Sequence, residues 1–398
     1  MTTAATSPAR SIPLSVPALL GNEWAYVKEC LDTGWVSSVG AFVTRFEQSI
    51  ARYTGAGHAV AVTSGTAALH IALQVAGVEP GDAVLTSTLS FIAPANAIRY
   101  CGAEPIFVDA DPQSWQMDAR KLEDFLRTQC VGRDGACYHA ATGCRVRAIL
   151  PVHILGLACE MDELQRIADD YHLIMVEDAA EGIGVRYRGR HVGTFGRLGI
   201  LSFNGNKLLT CGGGGMVLTD DATLARRVRY LTTQAKDDEM EYIHHEVGYN
   251  YRLTNVQAAI GLAQLEQLDG LLARKRAIAA AYHAALQQMP GLTPMPVPAQ
   301  IEAAFWLYTV LLPAGVDVAT RQSLLRALRA KGIEARPLWH PLHALPPYRD
   351  APTTPVDWAM RCYERAISLP SSPGLTDEQQ GRCLEMLRES LWEHDLLR

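Results

Sequence analysis

The chain has 398 residues, 48% hydrophobic and 20% charged, the balance of an ordinary globular protein long enough to bury large cores. A net charge of −6 argues against a nucleic-acid-binding surface, which needs clustered excess Lys and Arg. No apolar run approaches the ~20 residues that span a bilayer, and Met1 to Arg10 lacks the charged-then-apolar pattern of a secretion signal, so a cytoplasmic location is the expectation.

A proline-punctuated start, residues 1–13, is expected to be flexible. Glu47 to Tyr53 reads as helix. The short apolar run His58 to Thr63 reads as a buried strand that turns at Ser64-Gly65-Thr66 into a helical pattern, Ala67 to Ala76. Pro80-Gly81-Asp82 makes a turn into a second strand, Ala83 to Thr86. A helix is expected from about Pro94 and a third strand at Pro105 to Asp109. Residues 129–146 are polar and weakly periodic, an excursion between elements. Strands recur at Ala148 to Val152, Leu173 to Glu177, Leu198 to Ser202 and Gly215 to Thr219. Short apolar runs alternating with helices predict a mainly parallel sheet covered on both faces. Thr254 to Gln288 reads as one long helix. Beyond it Phe305 to Leu312 is strand-like, Arg321 to Lys331 helical, and the end helical again, which predicts a separate, smaller unit beginning within the long helix.

The nine cysteines are scattered and none forms a C-x-x-C pair. Cys130, Cys137 and Cys144, with His139, match no usual zinc spacing. Pro341 between His340 and His343 breaks helical ligand spacing as well, so no metal is expected.

Three segments carry candidate chemistry. Ser64-Gly65-Thr66, between strand and helix, suits a phosphate held by exposed helix N-terminal amides; a plain N-cap turn reads equally. Glu177-Asp178-Ala179-Ala180-Glu181 ends a buried strand, at the sheet edge where ligands of open α/β sheets gather. An Asp there can pair with a protonated pyridine nitrogen, but it also reads as an N-cap or a magnesium ligand. Ser202-Phe203-Asn204-Gly205-Asn206-Lys207 leaves another strand and runs into Gly212-Gly213-Gly214-Gly215. Such flanks suit a partly desolvated amine of the Schiff-base kind, although a solvated lysine before a flexible loop fits too. The glycines do not have the spacing of a dinucleotide fingerprint.

In this order the segments resemble those of an aspartate-aminotransferase-like, fold type I pyridoxal-phosphate enzyme. The chain is similar to sugar aminotransferases of the DegT/DnrJ/EryC1/StrS family. The resemblance runs from Gly34-Trp35-Val36-Ser37-Ser38 through Gly248-Tyr249-Asn250-Tyr251-Arg252 to Gly332-Ile333-Glu334-Ala335-Arg336-Pro337. Pro151-Val152-His153-Ile154-Leu155-Gly156 and the Lys207 segment resemble the branch that includes the legionaminic-acid and bacillosamine pathway C4 aminotransferases.

That resemblance implies an α/β fold: a large cofactor-binding domain, 14–265, with a mainly parallel seven-stranded sheet, and a smaller C-terminal α/β domain, 266–398. It implies pyridoxal 5′-phosphate joined to Lys207 as an internal aldimine, with pyridoxamine 5′-phosphate as intermediate. Asp178 matches the partner of the pyridine nitrogen. Gly65, Thr66 and Ser202 match phosphate contacts, and Asn250 a phosphate contact from the neighbouring subunit of a homodimer with shared active sites. Phe91 matches the aromatic stacked on the cofactor ring, and Glu181 a position near its phenolic oxygen that relatives often fill with Gln or His. Trp35, Arg252 and His340 match the substrate side. The implied reaction moves an amino group from glutamate to C4 of a UDP-linked 4-keto-6-deoxy-N-acetylhexosamine. Transfer to GDP-4-keto-6-deoxymannose, giving perosamine, or to a 3-keto deoxy sugar is the alternative within the family. The family's dehydratases replace the lysine by histidine, and Lys207 argues against them. A catalytically silent cofactor-binding subunit and a Rossmann-type module are the readings from other classes.

Overall fold

The computed structural model describes residues 11–238 and 240–397. Eleven strands, with helices between many of them, lie from His58 to Thr219. They are β1 (His58–Val62), β2 (Ala83–Ser87), β3 (Glu104–Val108), β4 (Cys130–Arg133), β5 (Ala136–His139), β6 (Arg145–Leu150), β7 (Ile174–Asp178), the short pair β8 (Arg186–Tyr187) and β9 (Arg190–His191), β10 (Leu198–Ser202) and β11 (Gly215–Thr219). Seven of them make one continuous path in the order β1-β11-β10-β7-β6-β2-β3. Only β11 runs against its neighbours, pairing antiparallel with both β1 and β10. The remaining pairs on the path are parallel.

Helices pack against both faces, so the central strands are buried throughout and read as unbroken apolar runs. Within 129–146 the excursion is ordered: β4 and β5 form a hairpin, and β5 adds antiparallel to β6. Because β1, β7 and β10 point the same way, the chain leaves all three at one sheet edge. That edge therefore receives Ser64, Asp178 and Ser202 together.

The long helix expected over 254–288 is interrupted. Thr254 caps the first part, Asn255–Glu266, through a reciprocal capping box with Gln257. At Gln267 the backbone leaves helical geometry (φ −101°, ψ −2°), and a second helix, Leu268–Leu286, begins. No proline or glycine marks the break, so helix propensity could not locate it. The buried side chains of Leu268, Leu271 and Leu272 follow the break, which makes it a tertiary feature. Downstream lie β12 (Thr293–Pro294), β13 (Ile301–Glu302), β14 (Tyr308–Leu311), β15 (Arg336–Pro337) and β16 (Ala366–Leu369). Four of these form a second, antiparallel sheet in the order β12-β14-β16-β15, while β13 joins β8 and β9.

Of the start expected to be flexible, residues 1–10 lie outside the described residues. Ile12 corrects the rest: it is buried and exchanges backbone hydrogen bonds with Gly332 and Glu334. Among the described residues no helix is long and apolar enough to cross a membrane, and no group of three or more His, Cys, Asp or Glu side chains is arranged to hold a metal ion.

Candidate active site

The turn after β1 comes first. Ser64 is extended and caps helix Gly65–Val75, its hydroxyl accepting the Ala67 N–H at 3.0 Å. The capping role and a phosphate role are thus compatible, since the remaining first-turn amides stay available. Gly65 is pressed against β10: a Cβ there would lie 2.8 Å from Ser202 Cβ and 3.0 Å from Ser202 Oγ. Gly215, the last of the four glycines, is pressed on the same turn, where a Cβ would meet the Ser64 carbonyl oxygen at 2.5 Å. Gly214 adopts φ +142°, which side chains rarely reach. The second half of the glycine run, Gly214 and Gly215, is therefore closely packed, whereas a Cβ at Gly212 would meet nothing within 4 Å.

Asp178 ends β7 and is almost fully buried. Its Oδ1 accepts the Ala180 N–H at 3.0 Å, and among the described residues no donor meets Oδ2. Burial pushes this carboxyl up, against the Ala180 hydrogen bond and the positive charge of Lys207. Its neighbour Glu177 points to the opposite face of the strand. There it accepts the Gly193 and Gly196 amides at 2.7 and 2.6 Å and meets His153 Nε2 at 3.1 Å. His153 Nδ1 accepts the Cys159 N–H at 3.1 Å, which leaves the ring proton on Nε2 for Glu177. These bonds fix the end of β7 from behind.

Lys207 closes the group. Its Nζ lies 3.3 Å from Glu181 Oε1 and 4.0 Å from the centre of the Trp306 ring, with only 13% of the side chain exposed. Glu181 Oε2 accepts the Leu155 N–H at 2.7 Å. To present that amide, Leu155 adopts φ +64°, a left-handed conformation costing a non-glycine residue about 1–3 kcal/mol. Burial pushes the Glu181 carboxyl up, opposed by Lys207 and the Leu155 hydrogen bond.

A cavity of about 460 Å³ collects Gly65, Thr66, Phe91, Asp178, Glu181, Ser202 and Lys207. Phe91 is 58% exposed at its mouth. A larger cleft of about 730 Å³ elsewhere mixes Asp111, Glu123 and Glu163 with Arg120 and Arg166 and includes none of these groups.

Four expected site residues do not line the cavity within one chain. Asn250 and Trp35 are exposed, and Arg252 is half-buried on the segment that pairs backbone to backbone with Val62 and Thr63. His340 packs on Tyr363, with ring centres 4.5 Å apart, and the neighbouring Trp339 enters the cavity instead. Trp306 also lines the cavity, from a run whose sequence reads only as strand.

The model of the DegT/DnrJ/EryC1/StrS aminotransferase family matches residues 18–388. GDP-perosamine synthase of Caulobacter vibrioides is 41% identical over 381 residues, covering 96% of this chain and 98% of that protein. GDP-perosamine synthase of Escherichia coli O157:H7 is 38% identical, covering 95% and 98%. The crystal structure of a DegT DnrJ EryC1 StrS aminotransferase from Brucella abortus superposes with a TM-score of 0.83 at 30% identity, over 92% of this chain and 95% of that one. With a fold type I sheet, a lysine, a buried aspartate and a phosphate-competent turn meeting at one edge, the chain belongs to the DegT/DnrJ/EryC1/StrS family of pyridoxal-phosphate-dependent sugar aminotransferases.

Proposed function

We propose that the protein transfers an amino group from glutamate to C4 of a nucleotide-linked 4-keto-6-deoxyhexose, with GDP-4-keto-6-deoxymannose as the preferred acceptor. The observation that carries the reading is the Lys207 amine, held on Glu181 in one cavity with Asp178 and the 64–66 turn. The names of the two relatives favour a GDP-linked acceptor over the UDP-linked one implied by the sequence resemblance.

The cavity suits pyridoxal phosphate on its own features. A buried carboxylate has one oxygen without a donor, and a glycine sits where any Cβ would close the cradle. When bound, the cofactor supplies an electron sink for the pair left on carbon after deprotonation. Gly65, Thr66 and Ser202 hold its phosphate with the helix N-terminal amides. Asp178 holds a proton on the pyridine nitrogen. Phe91 would cover one ring face, and Glu181, which meets Lys207, would act on the phenolic oxygen. Lys207 Nζ takes the proton from the amino-bearing carbon of the donor and returns one to C4 of the sugar in the second half of the cycle.

We assign Asn250, Arg252 and Trp35 to the cavity of a second copy, in a homodimer with shared sites. Trp24, Leu31, Trp35 and Val39 are exposed apolar side chains of the kind that such an interface covers. The units 14–265 and 266–398 would then divide near the helix break at Gln267.

Two results test this reading. With glutamate as donor, kcat/KM for GDP-4-keto-6-deoxymannose is expected to exceed that for the UDP-linked N-acetyl acceptor by about a hundredfold (~2.8 kcal/mol). The reverse preference restores the UDP reading, and turnover of neither sugar overturns the proposal. Gly65→Ala pushes Ser202 off the turn and is expected to weaken cofactor binding by about tenfold or more. Cofactor titration of the apoprotein reads this, and unchanged affinity would remove the turn from the phosphate site.

A further inference from the structure

Trp306 and Trp339 lie in the cavity on the side that also carries Lys207, with ring planes 6° from parallel and centres 6.4 Å apart. Neither is loosely held. The Trp306 indole N–H donates to the Asn206 carbonyl at 2.8 Å, and its own carbonyl accepts Lys275 Nζ at 2.8 Å. Lys275 is completely buried and is spent on backbone and hydroxyl oxygens: Trp306 and Ser371 carbonyls and Ser371 Oγ. The Trp339 segment is docked on the strand edge through Thr88. The Thr88 carbonyl accepts the Leu342 N–H at 2.9 Å, and its hydroxyl meets His343 Nδ1 at 2.7 Å. The Trp339 indole N–H has no partner among the described residues. A half-buried indole with a rigid support and an unused donor, lining the cavity that holds Lys207, is equipped for a ligand.

We propose that Trp306 and Trp339 form the platform on which the keto sugar lies, and that Trp339 determines sugar specificity without serving the amino donor. The inference deepens the function proposed above and rests on it. A 6-deoxypyranose offers axial C–H bonds and a methyl group to an aromatic face, and hydroxyls to an indole N–H. Glutamate, a small amino acid with two carboxylates, offers no comparable apolar face. Trp306 touches Lys207, so it serves both halves of the cycle; Trp339 has no such contact, which separates the two.

The test measures each half-reaction with purified holoenzyme, following loss of cofactor absorption with glutamate and its recovery with GDP-4-keto-6-deoxymannose or its UDP-linked counterpart. Trp339→Ala is expected to raise the apparent dissociation constant of the keto sugar by about tenfold or more while the glutamate step changes less than about twofold. Trp339→Phe, which keeps an aromatic face, should recover most of the loss and also guards against a folding defect. Trp306→Phe should slow both steps. Equal effects of Trp339→Ala on the two steps, or none on the sugar step, would overturn the proposal while leaving the aminotransferase reading intact. Failure of the wild-type enzyme with both keto sugars would instead strike the function itself.

Discussion

Lys207→Ala is expected to leave a folded protein whose turnover is lower by about 10⁴-fold or more, the upper end of what a positioned acid–base group contributes. The near-visible absorption of lysine-bound cofactor should vanish with it. Both losses have one cause in the proposed mechanism, which makes the amine lining the cavity the joining point for the cofactor as well. The variant should still fold because Glu181 can adjust. Burial pushes its carboxyl up while the lysine charge pulls it down, so removing Lys207 pushes it further up and makes the neutral form easier to reach. That spares the chain an unpaired buried anion, whose cost would be about 3–5 kcal/mol. Added small primary amines should restore a measurable fraction of the rate. Full activity in the variant would refute the assignment.

Asp178→Asn should lower kcat by about 10²–10³-fold, the usual effect of losing one pre-placed electrostatic group. The change is nearly isosteric, and the amide oxygen can keep the Ala180 hydrogen bond. What disappears is the negative charge that would stabilise a protonated ring nitrogen. Cofactor affinity should therefore fall much less than rate, because the phosphate contacts proposed for Gly65, Thr66 and Ser202 are untouched by the change. A cofactor titration beside a kcat measurement separates the two, and a wild-type rate would count against the role of Asp178.

The parallel sheet was legible because its strands are buried on both faces and bounded by turn residues. Leu198–Ser202 and Gly215–Thr219 matched residue for residue. The break at Gln267 was not legible, since nothing in its side chain breaks a helix and the cause lies in packing. Ile12 was missed for a related reason: a short polar start looks mobile until its backbone finds Gly332 and Glu334.

At the site, Lys207, Asp178 and the 64–66 turn could be read because each lies next to a strand end, and parallel strands bring their ends together. The aromatic pair could not. Trp306 and Trp339 are far apart in sequence and reach the cavity only through the packing of the C-terminal sheet. Which of the adjacent Trp339 and His340 lines the cavity depends on the local course of the backbone, which leaves no mark in the sequence. The strain at Leu155 also left no sequence mark, because leucine carries no preference for the left-handed region.

Borohydride reduction of the holoenzyme, followed by peptide mapping, tests the central claim most directly. A pyridoxyl group recovered on Lys207 in about one copy per chain is the expected result. Recovery on another lysine, or no fixed cofactor despite full activity, would contradict the account.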